Sequence, residues 1–175
     1  TFFAGSLSPA LPSGTVGSAS IESTGPVVAV VNDKGTVNGS ERVTTYACFG
    51  SGGTSINIPL AKEHAGGNTT GIQVQNIGGS ATTVTLAYKS TDGKSLTIES
   101  KSTVAPGASI TAVNLYKLPD ATWQVNSGNP ADMVGTVNGV VASGGADLAV
   151  IANESSNGDL SAASNQDTKN YEGFN

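Results

Sequence analysis

The sequence predicts an all-β protein, a two-sheet sandwich carrying an internally duplicated strand motif at the two ends of the chain. Three observations carry this. Apolar residues alternate with period two wherever they are periodic, turn-forming residues fall between the alternating runs, and no window reads as an amphipathic helix. The 175 residues suffice for one compact domain, and only 12 % of them are charged, about half the usual share of roughly 25 %. Ser, Thr, Asn and 23 glycines replace the missing charge.

The arm over residues 1–14 comes first. Phe3, Leu7 and Leu11 share one face of an extended strand with Gly5 and Pro9. An apolar, alternating strand of this kind suits β-addition to a neighbouring sheet, as in the donor strands of pilus and fimbrial subunits. Pro9 lacks an N–H and has to sit where no ladder bond is needed.

Residues 15–175 are expected to form a single domain, with repeat-like flanks at 15–50 and 133–175 around a central segment at 54–126. Val16-Gly17-Ser18 leading to Pro26-Val27-Val28-Ala29-Val30-Val31-Asn32-Asp33 matches Val134-Gly135-Thr136 leading to Asp147-Leu148-Ala149-Val150-Ile151-Ala152-Asn153-Glu154. A polar loop follows each, then Tyr46-Ala47-Cys48-Phe49 or Tyr171-Glu172-Gly173-Phe174. Three matched blocks in the same order indicate duplication. Each copy predicts a central apolar strand buried on both faces, a long loop and a closing strand with core aromatics, the two flanks lying side by side to complete one sandwich. Cys48, alone in the chain, reads as a buried strand cysteine.

In the central segment, Ile56, Ile58 and Leu60, then Val84, Leu86 and Tyr88, then Leu96 and Ile98, then Ile110 and Ala112 mark strands. Asn32-Asp33-Lys34-Gly35, Gly78-Gly79-Ser80, Thr91-Asp92-Gly93-Lys94 and Ala105-Pro106-Gly107 predict turns. Leu60 to Ala65 allows about one helical turn between Pro59 and Gly66-Gly67. Val74-Gln75-Asn76-Ile77-Gly78 and Val104-Ala105-Pro106-Gly107-Ala108-Ser109 match the strand end "V-x-N-x-G" and the turn "L-x-P-G-x-S" of secreted Ig-like, CARDB-like β-sandwich domains. The stretch from 70 to 115 resembles strands B to E of that family. The resemblance implies an Ig-like sandwich and a prokaryotic extracellular setting, similar to subunits of extracellular filaments, and says little about function.

Chemistry is sparse. Thirteen acids against eight bases give a net charge of -5, which opposes nucleic acid and anionic membranes, and no apolar run is long enough to span a bilayer. His64, the one histidine, lies in a polar Lys62-Glu63-His64 turn expected at the surface, without a Gly-x-Ser-x-Gly elbow to serve. No catalytic, metal or cofactor residues are assigned. For calcium, the oxygen-rich stretch from Asn153 to Asp159 lacks the Asp-x-Asp-x-Asp-Gly spacing. Sequons at Asn38, Asn68 and Asn153 are glycosylation candidates.

The expectation drawn from this is a non-enzymatic structural subunit of an extracellular filament, pilus-like fibre or surface layer. Its partners would be other copies of itself, anchored by Phe3, Leu7 and Leu11, and its start at Thr1 fits a chain whose leader has been removed. The alternative is an adhesive or carbohydrate-binding module that stacks sugars on Trp123 and Tyr116.

Overall fold

The computed structural model describes residues 11–12, 18–37, 40–156 and 168–173. Its strands are β1 (Val30–Val37), β2 (Ser40–Ala47), β3 (Gly53–Glu63), β4 (Asn68–Asn76), β5 (Val84–Ser90), β6 (Ser95–Ser100), β7 (Ser109–Ala112), β8 (Trp123–Ser127), β9 (Thr136–Ser156) and β10 (Thr168–Glu172). Short 3-10 turns at Leu115–Lys117 and Pro130–Met133 are the helical elements among the described residues. The chain is all-β, as its period-two pattern predicts. Val84, Leu86 and Tyr88 on β5 and Leu96 and Ile98 on β6 point inward, and the residues between them do not.

Every pairing among the described residues is antiparallel, and β9 organises those of the large sheet. Its first half lies between β3 and β5, pairing Ile58 and Tyr88 with Val140 from opposite sides. Its second half lies between β4 and β10, with Ala152 facing Ile72 on one side and Tyr171 on the other. β6 and β8 extend the first group from β5, and β7 extends the second from β4. Ile72 and Val74 of the second group pack in one core with Leu86, Ile98 and Trp123 of the first.

The change of partners falls at Gly144-Gly145. The Gly145 N–H donates to Thr82 Oγ1 at 2.7 Å, and a Cβ on Gly144 would come within 3.1 Å of the Thr83 carbonyl oxygen. A larger residue would push β9 away from the segment it must hug.

Asn76 joins the two sequence motifs of the central segment. Fully buried at the end of β4, it donates from Nδ2 to the carbonyls of Ser80 and Val104, both at 2.8 Å, while Oδ1 accepts from the Gly78 N–H at 3.0 Å. Its backbone accepts from Gly107 N–H and donates to the Ala108 carbonyl. One side chain thus satisfies the strand end and the Pro-Gly turn together.

Several expectations fail for identifiable reasons. Leu60 to Glu63 continues β3 instead of forming a helical turn, because Ala61, Lys62 and Glu63 pair with β9, and the break comes at His64 with φ 56°. Asn32 to Gly35 is not a turn: β1 runs through it to Val37. The two flanks are also not equivalent in the core. Leu148 to Ala152 is buried as expected, whereas Val27 is 59 % exposed, Val28 94 % and Val30 56 %. β1 and β2 form a separate two-stranded ribbon, with β2 against β10, and among the described residues no strand covers the other edge of β1. Cys48, following β2, is exposed, and Tyr46 and Phe49 are half-buried.

Asn76→Ala removes three hydrogen bonds from a buried site and is expected to cost about 2–4 kcal/mol, a buried unsatisfied group costing roughly 1–3 kcal/mol. Urea unfolding measures this, and a loss under about 1 kcal/mol would show that the clasp is dispensable.

Candidate functional site

Two places hold side chains that the fold leaves unexplained. The first is the amino-terminal third. Leu11, Ile21, Val27, Val28 and Val30 are exposed, while the core is drawn from Ile56 through Ala152. Several exposed apolar side chains in one segment are more telling than a scattered single residue. Ser18 Oγ donates to the Gly107 carbonyl at 3.1 Å, which ties this segment to the turn that leads into β7.

β7 is the outermost strand of its group, Ser-Ile-Thr-Ala, with neither charge nor proline. Beside it runs a shallow surface groove of about 430 Å³ whose lining is mixed, with Val104, Ala105, Ala108 and Ile110 among its apolar residues and Ser and Thr residues making up nearly half. β3, another strand paired on one side only, is protected differently: Pro59 sits in it, and its register shifts between Ile58 and Ala61.

The second place is a polar cluster at the far end of β3. The Glu63 side chain is buried, yet both oxygens are held: Oε1 lies 3.0 Å from His64 Nδ1, and Oε2 accepts from the Leu115 N–H at 3.1 Å. His64 is half-buried, its side chain 33 % exposed, and not the surface residue expected, because Tyr116 packs edge-on against its ring at 5.1 Å. Lys117 Nζ lies 5.5 Å over the Tyr116 ring. Next to this cluster Lys62 Nζ reaches the buried Glu154 Oε1 at 3.0 Å. Burial pushes the Tyr88 phenol far above its ordinary range, and the negative charge of Glu63 adds to this, so Tyr88 stays neutral.

A carboxylate on His Nδ1 orients an imidazole as a general base. The hydroxyl that reaches His64, Thr69 Oγ1 at 3.4 Å, approaches the same Nδ1 that Glu63 engages, so the pair does not assemble a triad with it. Among the described residues no group of three His, Cys, Asp or Glu side chains could hold a metal. The arrangement fixes the β3 end to the Leu115–Lys117 turn.

Of the residues singled out in the sequence, Phe3, Leu7 and Asn38 lie outside the described residues, and Leu11 is exposed. Asn68 is half-buried at the start of β4 and donates to the Gly66 carbonyl. Asn153 is exposed, but it stands within β9, paired with Gly71 and Asn170. The calcium stretch is therefore strand as far as Ser156, and beyond that it lies outside the described residues. Trp123 is not a sugar platform: it is 1 % exposed, and its indole N–H donates to the Thr111 carbonyl at 2.8 Å, linking β8 to β7 across the open side of the sandwich. Tyr116 is 43 % exposed and packs on His64. Sequence reading missed the buried Glu63 and Glu154. The one available signal was a charged pair in a run otherwise alternating for burial.

No family model matches the chain, and no curated protein matches it. The crystal structure of Thermotoga maritima 1070 is similar in fold, with a TM-score of 0.50 at 12 % identity over 70 % of this chain and 94 % of that one. At that identity the likeness bears on architecture alone.

Glu63→Ala leaves the Leu115 N–H without its acceptor and is expected to cost about 3 kcal/mol in urea unfolding, with Glu63→Gln keeping a large part of it. An equal loss in both variants would place the effect in the charge. On the exposed β5–β6 turn, hydrogen bonds from Ser90 and then Lys94 hold the Asp92 carboxyl below its usual range. A depressed carboxylate stabilises the fold above the ordinary aspartate range and loses that contribution as pH falls through its folded value. The Tm gap between the protein and Asp92→Asn should accordingly be widest at neutral pH and close on acidification. A gap that is constant with pH would exclude this.

Proposed function

We propose that the protein is a structural subunit that assembles with other copies of itself into an extracellular filament, pilus-like fibre or surface layer, its amino-terminal arm adding as a β-strand to a neighbour. The observation that carries this reading is the division of the chain. The sandwich completes its core without any described residue before Ile56, and the segment before it holds large apolar side chains in solvent. Among the described residues, the segment ahead of β1 leaves Leu11 and Ile21 in solvent, and such a segment is suited to burial against something else.

The acceptor that fits best is the outer edge of β7 at its Ser109 end, beside the groove, since the Thr111 carbonyl already takes the Trp123 indole N–H. Unprotected edges invite strand addition, in which main-chain bonds supply affinity and alternate side chains fill pockets. Phe3, Leu7 and Leu11 have that alternation. Ser18 sits at the turn before β7, and the residues ahead of it span about 55 Å when extended at roughly 3.3 Å each, enough to reach another copy. The surface, poor in charge, repels a second copy weakly. The resemblance to CARDB-like extracellular sandwiches points the same way. Among the described residues no helix is long and apolar enough to cross a membrane.

Negative-stain microscopy of the full chain beside one lacking residues 1–14, at matched concentration, tests the reading. Regular fibres are expected from the full chain alone, and Phe3, Leu7 and Leu11 replaced together by Ser should abolish them. Single particles from both chains would overturn it.

A further inference from the structure

The two copies of the duplicated motif fold into the same hairpin. Where β9 meets β10, Ile151 faces Glu172, Ala152 faces Tyr171, Asn153 faces Asn170, Glu154 faces Lys169 and Ser155 faces Thr168. In the ribbon, Val30 faces Ala47, Val31 faces Tyr46, Asn32 faces Thr45, Asp33 faces Thr44 and Lys34 faces Val43. Aligning Asn32 with Asn153 and Tyr46 with Tyr171 superposes these pairs one for one. The bond that closes each hairpin is also shared: the Cys48 N–H donates to the Ala29 carbonyl at 3.0 Å, and the Gly173 N–H donates to the Val150 carbonyl at 3.0 Å.

The environments differ on one side. The far edge of β9 is paired with β4 from Asn68 to Asn76, and there Leu148 to Ala152 is buried. The far edge of β1 carries no described strand, and Val27, Val28 and Val30, the counterparts of Leu148, Ala149 and Ile151, are exposed. Hairpins of two strands are marginal in water by themselves, and among the described residues the ribbon lacks the neighbour its twin has.

We propose that β1 and β2 are the closing hairpin of a second sandwich of this same fold, and that the edge of β1 which no described strand covers receives from it an antiparallel strand of the β4 type. The occupant is a sandwich that lacks its own closing hairpin. A finished copy of this chain does not qualify, since its β4 is already paired by β7 on one side and β9 on the other. One feature of the partner follows. Cys48 stands where Gly173 lies against Ile56, and a Cβ on Gly173 would come within 2.5 Å of Ile56 Cγ2. The partner therefore carries a side chain smaller than isoleucine there. The two hairpins are about 120 residues apart, the length of one compact domain, which makes residues 53–173 one unit in a string of like sandwiches.

A transplant within the full chain tests the proposal. Leu148–Gly173 is replaced by the sequence of Val27–Cys48 with Cys48→Gly, and a control carries the same residues in scrambled order. The transplant is expected to unfold in one cooperative transition, with its valine amides exchanging at least ~100-fold more slowly than the same amides do in β1, the difference between a core strand and an open edge. If the transplant behaves like the scrambled control, the hairpins are not equivalent and the proposal fails. It fails as well if the β1 amides of the unaltered chain are already as protected as those of β9. Neither readout depends on fibres, so failure of the filament reading and failure of this one are told apart.

Discussion

The sandwich depends on one strand serving both of its layers. β9 enters between β3 and β5 and leaves between β4 and β10, so four strands take their register from it. That is possible only where the backbone can change partners without leaving its neighbours, and Gly144-Gly145, pressed against Thr82 and Thr83, is that place. The second half carries Leu148, Val150 and Ala152 into the middle of the core. Full burial of each large aliphatic side chain stabilises by about 1.5–3 kcal/mol, so a shift of one residue in β9 would turn that contribution outward.

The polar interior is arranged around the same strand. Glu154 of β9 takes the Lys62 ammonium, Asn138 of β9 donates to the Ala61 carbonyl, and Glu63 next to them holds His64 and the Leu115 N–H. Glu154, Asn138 and Glu63 each take a partner from another part of the chain, and buried ion pairs and amides fix register more than they add net stability. β3 is thereby keyed to β9 at its far end, beyond the disturbance that Pro59 introduces. Trp123 performs the corresponding task on the opposite side, where its N–H spans from β8 to the Thr111 carbonyl of β7.

The strands of the central segment were legible because their side chains alternate and their turns contain Gly at positive φ, as at Gly93 and Gly107. The duplicated motif was legible too, but its burial was not. Pattern reading assigns a Val-rich run to a core, yet Val27 to Val31 and Leu148 to Ala152 differ in exposure through what lies beside them, which is a property of the neighbour. The helix-friendly window from Leu60 failed similarly, since pairing with β9 outweighs a local preference worth tenths of a kcal/mol per residue. Glu63 and His64 read as surface residues because adjacency in sequence hides the Leu115 N–H and the Tyr116 ring, both brought to them from more than 50 positions away.

The ribbon and the sandwich are joined by a stretch too short and too closely held to act as a free linker. Residues 48–52 connect β2 to β3, and at their end a Cβ on Gly52 would lie 2.2 Å from the Leu148 carbonyl oxygen, so the backbone there is pressed against β9. β2 lies against β10 on the same side. A hairpin held so near its twin keeps its β1 edge at a set distance and direction from the sandwich, and any strand added there would inherit that geometry. Repetition of such a joint gives a stiff array rather than beads on a flexible string. In this chain the constraint on the joint comes from glycine at a point of backbone contact, where a Cβ on Gly52 would meet the Leu148 carbonyl.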